Sequence, residues 1–191
     1  MRIYLQRMRK IDIDGNRCSV HFKTRGTVPN AVRRALMCDV KNFAPDTLNI
    51  RTNTSCQTDE YIAHRIGLIP FSNVTDETVA TLTVHDRLVT TDDFQGVVAC
   101  RVLPVMQLAR HQTLDLDVSF KQATGIDHVR FSHITNVGYS VDNDVQKLSF
   151  ETISTRNPVE YLLEAIDALI DRVDRNIFFV ESSYDAKKTV N

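Results

Sequence analysis

"NTSCQTDEYIAHRIGLIPF", residues 53–71, sets acids, a histidine and an arginine directly against a short aliphatic run closed by a glycine and a proline. The spacing predicts a helix over residues 53–66, with Tyr61, Ile62 and Ile66 on its apolar side. Asp59 and Glu60 fall early, where carboxylates complement the helix dipole, and His64 and Arg65 fall late, where positive charge does. Gly67 stands at C′, where a left-handed cap is wanted. Leu68 at C″ is placed to contact Ala63 or Ile62, and Pro70 forbids continuation.

The flanks change period. Ile3, Leu5, Ile11 and Ile13 share a parity, Asp14–Gly15–Asn16 supplies a turn, and Cys18, Val20 and Phe22 resume the alternation, which predicts a β-hairpin. Val28, Val32, Leu36 and Val40 then recur every four residues behind Pro29, predicting an amphipathic helix. Its neighbours Arg33 and Arg34 project about 100° apart, so they meet different surroundings. "TLNIRT" (47–52) reads as a short strand. Residues 79–154 are strand-rich, most clearly at 113–121, where Leu114, Leu116, Val118 and Phe120 alternate with Asp115, Asp117, Ser119 and Lys121. "VVACRV", "HVRFSHI" and "KLSFETIS" are shorter strand candidates. At the far end Asn157, Pro158 and Glu160 form an N-cap, N1 proline and N3 glutamate. Behind them an apolar stripe runs from Val159 through Leu162, Leu163, Ile166, Leu169, Ile170 and Val173 to Ile177.

Composition narrows the function classes. The chain has 191 residues, 42% hydrophobic and 25% charged, enough for one domain or two small ones. With 23 basic against 24 acidic residues the net charge is -1, which argues against wrapping nucleic acid or coating an anionic membrane. No stretch approaches the ~20 apolar residues of a membrane span, and "MRIYLQRMRK" lacks the apolar core of a signal peptide, so an intracellular protein is expected. Cys18, Cys38, Cys56 and Cys100 are widely spaced with no C-x-x-C pair, as suits reduced thiols.

Catalytic grammar is thin. Asp59 and Glu60 are adjacent and point apart on a helix, the histidines show no helical i, i+4 pair, and no glycine loop could cradle a phosphate. The alternative kept open on these residues is a free-standing intracellular enzyme with a site around Asp59, His64 and Arg65.

Residues 53–71 resemble the signature of the alpha-like subunits of multisubunit DNA-dependent RNA polymerases. This family comprises the eukaryotic third-largest subunit, its archaeal counterpart and the bacterial alpha N-terminal domain. In its signature N-T-S/T and D-E precede A-H-R-L/I-G-L-I-P. Three further stretches agree in order: "TVPNAVRRALM", "QTLDLDVSFKQATGIDHVRFS" and "LSFETISTRNPVEYLLEAIDAL".

The resemblance implies an α+β fold: a discontinuous dimerisation domain of sheet plus two helices, residues 1–52 and 145–191, with a β-rich domain inserted at 53–144. It implies a non-catalytic assembly subunit that pairs with a smaller alpha-like subunit and forms the platform for the second-largest, catalytic subunit. Small accessory polymerase subunits are further implied partners. Neither membrane nor direct nucleic-acid contact is expected. For the dimer interface it implies Asn30, Val32, Arg33 and Leu36 on the first helix. On the last it implies Leu162, Leu163, Ile166, Leu169, Ile170 and Val173. Large-subunit contacts are implied at Arg34, Met37, Asp59, Glu60, His64, Arg65 and Gly67. Many relatives carry a cysteine cluster in the inserted domain that holds zinc or an iron–sulfur cluster. Residues 72–110 contain only Cys100, so no metal or other cofactor is expected.

Overall fold

The computed structural model describes residues 8–22, 26–142 and 145–188; Ile3 and Leu5, read as part of the hairpin, lie outside them. The chain forms two compact units. The first gathers residues up to 40, 134–151 and 156 onward, and the second comprises 41–133 and 152–155.

The first unit is a four-stranded sheet with two helices. Strands β1 (Met8–Asp14) and β2 (Arg17–Phe22) make the expected hairpin, with Ile11 opposite Val20 and Ile13 opposite Cys18. Gly15 takes φ +57 in the turn, a left-handed conformation that favours glycine. With β10 (Ile134–Asp142) and β11 (Val145–Thr152) the sheet order is β1-β2-β11-β10. Helix α1 (Val28–Cys38) buries Val32, Ala35 and Leu36 against it, because residues three and four apart share one helix face. Helix α3 (Pro158–Lys188) adds Tyr161, Leu162, Ala165 and Ile166 to the same core and packs against α1.

The start of α3 is pinned. The Asn157 side chain accepts from the Val159 N–H (2.9 Å), as an N-cap does. Arg156 lays its guanidinium 4.6 Å from the Tyr161 ring centroid and pairs with Glu160 and Glu164.

The second unit is built on the antiparallel order β3-β9-β5, from β3 (Lys41–Asn53), β5 (Val79–His85) and β9 (Thr113–Thr124). Leu114, Leu116, Val118 and Phe120 are all buried, as their alternation predicts, and Leu82 and Val84 join them. On the opposite face Arg51 bridges Asp115 (Nε to Oδ2, 2.8 Å) and Asp117. The bonds from Arg51 to Asp115, with one from Thr83, hold the Asp115 carboxyl down at about 2. Helix α2 (Asp59–Gly67) lays Ile62 and Ile66 on this core, and Phe71 meets Phe94 and Phe120 edge-on at 5.4 Å. Strand β4 (Phe71–Ser72) pairs with β7 (Val98–Ala99), and β6 (Leu88–Thr90) with β8 (Pro104–Gln107).

Several expectations change. The strand expected at 47–52 runs from 41 to 53; its register shifts around Pro45 and Ile50 break the alternation. Pro45 is tolerated because β3 is an edge strand. Because β3 pairs with β9 along its length, the compact units divide at 40/41, whereas the expected division was 52/53. At the other end they divide at 133/134 against 144/145, because β10 belongs to the first sheet. Of "HVRFSHI" only Ile134 is strand, the first residue of β10. The stretch before it makes a 3-10 turn at Val129–Phe131, capped by His128 Nδ1 accepting from the Arg130 N–H and held by Asn42 donating to the Phe131 carbonyl (2.8 Å). The true strand, β10, hides its period because Asn136 at φ +51 breaks the alternation between buried Ile134 and Val137. Only Val98–Ala99 of "VVACRV" is strand.

Candidate protein-docking surfaces

Helix α2 is an assembled piece rather than a bare amphipathic run. Residues 53–58 precede the helix, which starts later than its spacing suggests. The Asn53 amide donates to the Gln57 carbonyl (2.9 Å) and to Asp59 Oδ1 (2.7 Å), while its oxygen accepts from the Ser55 N–H (3.0 Å). Thr58 is the N-cap, accepting from the Tyr61 N–H. At the other end Gly67 is inside the helix, buried, and Leu68 caps it in a right-handed conformation at φ −94. The Leu68 and Ile69 N–H groups bond to the Arg65 and Ile66 carbonyls (3.3 and 3.1 Å), a tightened last turn that needs no left-handed residue. The expected left-handed stop at Gly67 is therefore absent, and Leu68 is 44% exposed.

Arg65 donates to the Pro104 carbonyl (3.0 Å) and the Tyr61 hydroxyl (3.1 Å), tying α2 to β8. Beside it His64, Arg65, Leu68, Ile69, Leu103, Pro104 and Val105 line an open groove of ≈ 470 Å³. Leu68, Leu103 and neighbouring Tyr61 and Val102 are exposed, which makes this rim apolar with a cationic edge. Asp59 is held by Asn53 and Arg65 by Pro104; His64 and Arg65 line the groove, and Asp59 is not among its lining residues.

The second surface belongs to the first unit. Ala165 and Ile166 are buried and Leu169 and Ile170 are packed on the core, yet every residue from 171 to 179 is exposed. Val173, Ile177, Phe178 and Phe179 lie in that stretch, Phe178 being 73% exposed. Leu163 on α3 and Met37 on α1 add to it. Ile11 and Ile13 share the core-facing side of the sheet with their partners Val20 and Cys18, yet on edge strand β1 Ile13 is 51% exposed. Apolar residues placed this way are the sign of a surface made to be covered.

The residues expected to form a dimer interface divide accordingly. Val32, Leu36, Leu162 and Ile166 serve their own core, since they occupy the sheet-facing side of α1 and α3. Asn30 is exposed, and Arg33 beside it donates to the Asn30 side chain (3.0 Å) and lies along Met37. Leu163 and Val173 are exposed. Of the residues assigned to the large subunit, Arg34, Met37, Asp59, Glu60, His64 and Arg65 are exposed, whereas Gly67 is buried. Sequence reasoning misses Ile11 and Ile13, which alternate like hairpin core, and Phe178 and Phe179, which stand off the apolar stripe. Two adjacent phenylalanines on a helix flanked by Asp174, Arg175 and Glu181 are the available signal.

The chain leaves a helix end and a groove rim apolar among the described residues. It belongs to the RNA polymerase Rpb3/Rpb11 dimerisation domain family, whose model matches residues 22–173. The chain is similar to a DNA-directed RNA polymerase subunit Rpo3 of Natronomonas pharaonis, 34% identical over 66% of this chain. It is likewise similar to Rpo3 of Methanocaldococcus jannaschii, 27% identical over 76% of it. Subunit 3 of the DNA-directed RNA polymerases II, IV and V of Arabidopsis thaliana is 24% identical over 83%. The matched regions span 57% of the Natronomonas protein, 80% of the Methanocaldococcus protein and 65% of the Arabidopsis protein.

Proposed function

We propose that this chain is a non-catalytic assembly subunit of a DNA-dependent RNA polymerase, working inside the cell at the site of transcription. The observation that carries this reading is the outer part of α3, which continues past its own core with Val173, Ile177, Phe178 and Phe179 uncovered. A smaller alpha-like subunit of the same fold class is the partner suited to that helix, with the uncovered Ile11 and Ile13 extending the contact onto the sheet. The groove beside α2 is then the second docking surface, for the second-largest subunit or a small accessory subunit. Nucleic acid is left to other subunits, in keeping with a net charge of -1. Co-purification tests this: tagged chain brings down a small alpha-like subunit and the two largest subunits, whereas recovery of the chain alone refutes the proposal.

A further inference from the structure

Asp39 caps the C-terminal end of α1, its N–H bonded to the Ala35 carbonyl (2.8 Å). A carboxylate there faces the negative end of the helix dipole, and the last turn of α1 carries no basic residue to offset it. Its side chain is only 9% exposed, and its second oxygen is buried with no hydrogen-bond partner among the described residues. What neutralises it is Arg172, from α3, whose guanidinium pairs with the other oxygen. A local rule is broken on α1 and compensated from another helix, which is the pattern expected where function, not stability, selects a residue. The location of the pair agrees. Leu169 and Ile170 are the last α3 residues packed on the core, and the stretch from Asp171 to Phe179 is exposed.

We propose that Asp39 and Arg172 are a positioning pair for the docking helix. They fix the direction in which α3 leaves its own unit, so that Val173, Ile177 and Phe178 are presented before a partner arrives. This rests on the reading of α3 as the docking helix. Without the pair the exposed segment samples other directions, and the apparent affinity falls in proportion to the fraction that remains correctly placed. Arginine suits the task because its planar fork fixes a direction that a lysine ammonium does not.

The test uses the full chain, alone and with its small alpha-like partner, in three forms: Arg172→Ala, Asp39→Asn with Arg172→Gln, and the swap Asp39→Arg with Arg172→Asp. Amide exchange in Arg172→Ala should rise in residues 171–179 and stay unchanged in 158–166, and pairing should weaken about tenfold. The neutral double variant should weaken pairing no further than Arg172→Ala, and the swap should recover most of the loss, because interacting charges are not additive. Unchanged exchange at 171–179, a clearly greater loss in the neutral double variant than in Arg172→Ala, or no recovery by the swap would overturn the proposal. So would exchange rising equally in 158–166, since the pair would then be holding the core rather than aiming the helix. If the unaltered chain does not pair at all, the docking reading fails, and the exchange results alone still decide whether the pair sets the course of α3.

Discussion

Replacing Ile177 and Ile166 by glutamate should have opposite consequences although both lie on the same apolar stripe of α3. Ile166 is 5% exposed and sits in the core of the first unit. Its replacement forfeits about 1.5–3 kcal/mol of side-chain burial. It also strands a carboxylate among Leu36, Phe150 and Leu162 at a cost of several kcal/mol more, a large share of a small unit's stability. Ile177 is 49% exposed. Isolated, the Ile177→Glu chain should lose no more than about 0.5 kcal/mol. Against a partner it forgoes burial of the exposed half, about 1 kcal/mol, and brings a carboxylate that must be desolvated, about 2 kcal/mol or more. The sum of about 3 kcal/mol corresponds to an affinity loss of about 100-fold. Thermal unfolding by circular dichroism measures the first effect, and titration calorimetry or quantitative pull-down with the small alpha-like subunit the second. Unaltered affinity in Ile177→Glu, or equal loss of stability in both variants, would refute the assignment of residues 171–179 as the docking segment.

Other outcomes are equally specific. Gly67→Ala should stabilise the chain by about 0.5 kcal/mol, because a Cβ there meets nothing within 4 Å and the position is helical; a drop in melting temperature would restore the left-handed stop. Leu68→Glu, on the rim of the α2 groove, should leave folding intact and abolish recovery of the large subunits, read by pull-down from cells. Arg65→Glu should in addition loosen the Pro104 segment, so proteolysis near residue 104 should accelerate only in that variant. Asp115 has a folded pKa near 2 against an ordinary 3.8, so the unfolded chain takes up that proton first as pH falls. Its contribution is therefore complete above pH 3.8 and is lost as pH falls toward 2, and Asp115→Asn should flatten that part of the stability–pH profile measured by denaturant melts.

What the sequence disclosed depended on whether period and environment coincided. The 113–121 alternation and the Asn157 cap are local, repeated signals, and both are found where the spacing places them. Strand β10 was hidden because one left-handed residue, Asn136, shifts the parity, and β3 because Pro45 and its register shifts do the same. The α3 stripe was legible as apolar, but periodicity does not say what covers it: Ile166 and Ile177 look alike in sequence, yet the first is buried in the core and the second is half exposed. Arg65 reads as a surface charge, since its partner, a backbone carbonyl at Pro104, is 39 residues away and leaves no trace in local pattern. The pairing of Asp39 with Arg172, 133 residues apart, was invisible for the same reason.

Native mass spectrometry of the complex purified through this chain tests most directly whether it is a polymerase assembly component that docks by its last helix. The expected spectrum contains one copy of this chain with one small alpha-like subunit, both as a dissociable pair and within a polymerase containing the two largest subunits; Ile177→Glu removes the pair. A spectrum showing the wild-type chain only as a monomer, or the pair persisting in Ile177→Glu, would contradict it.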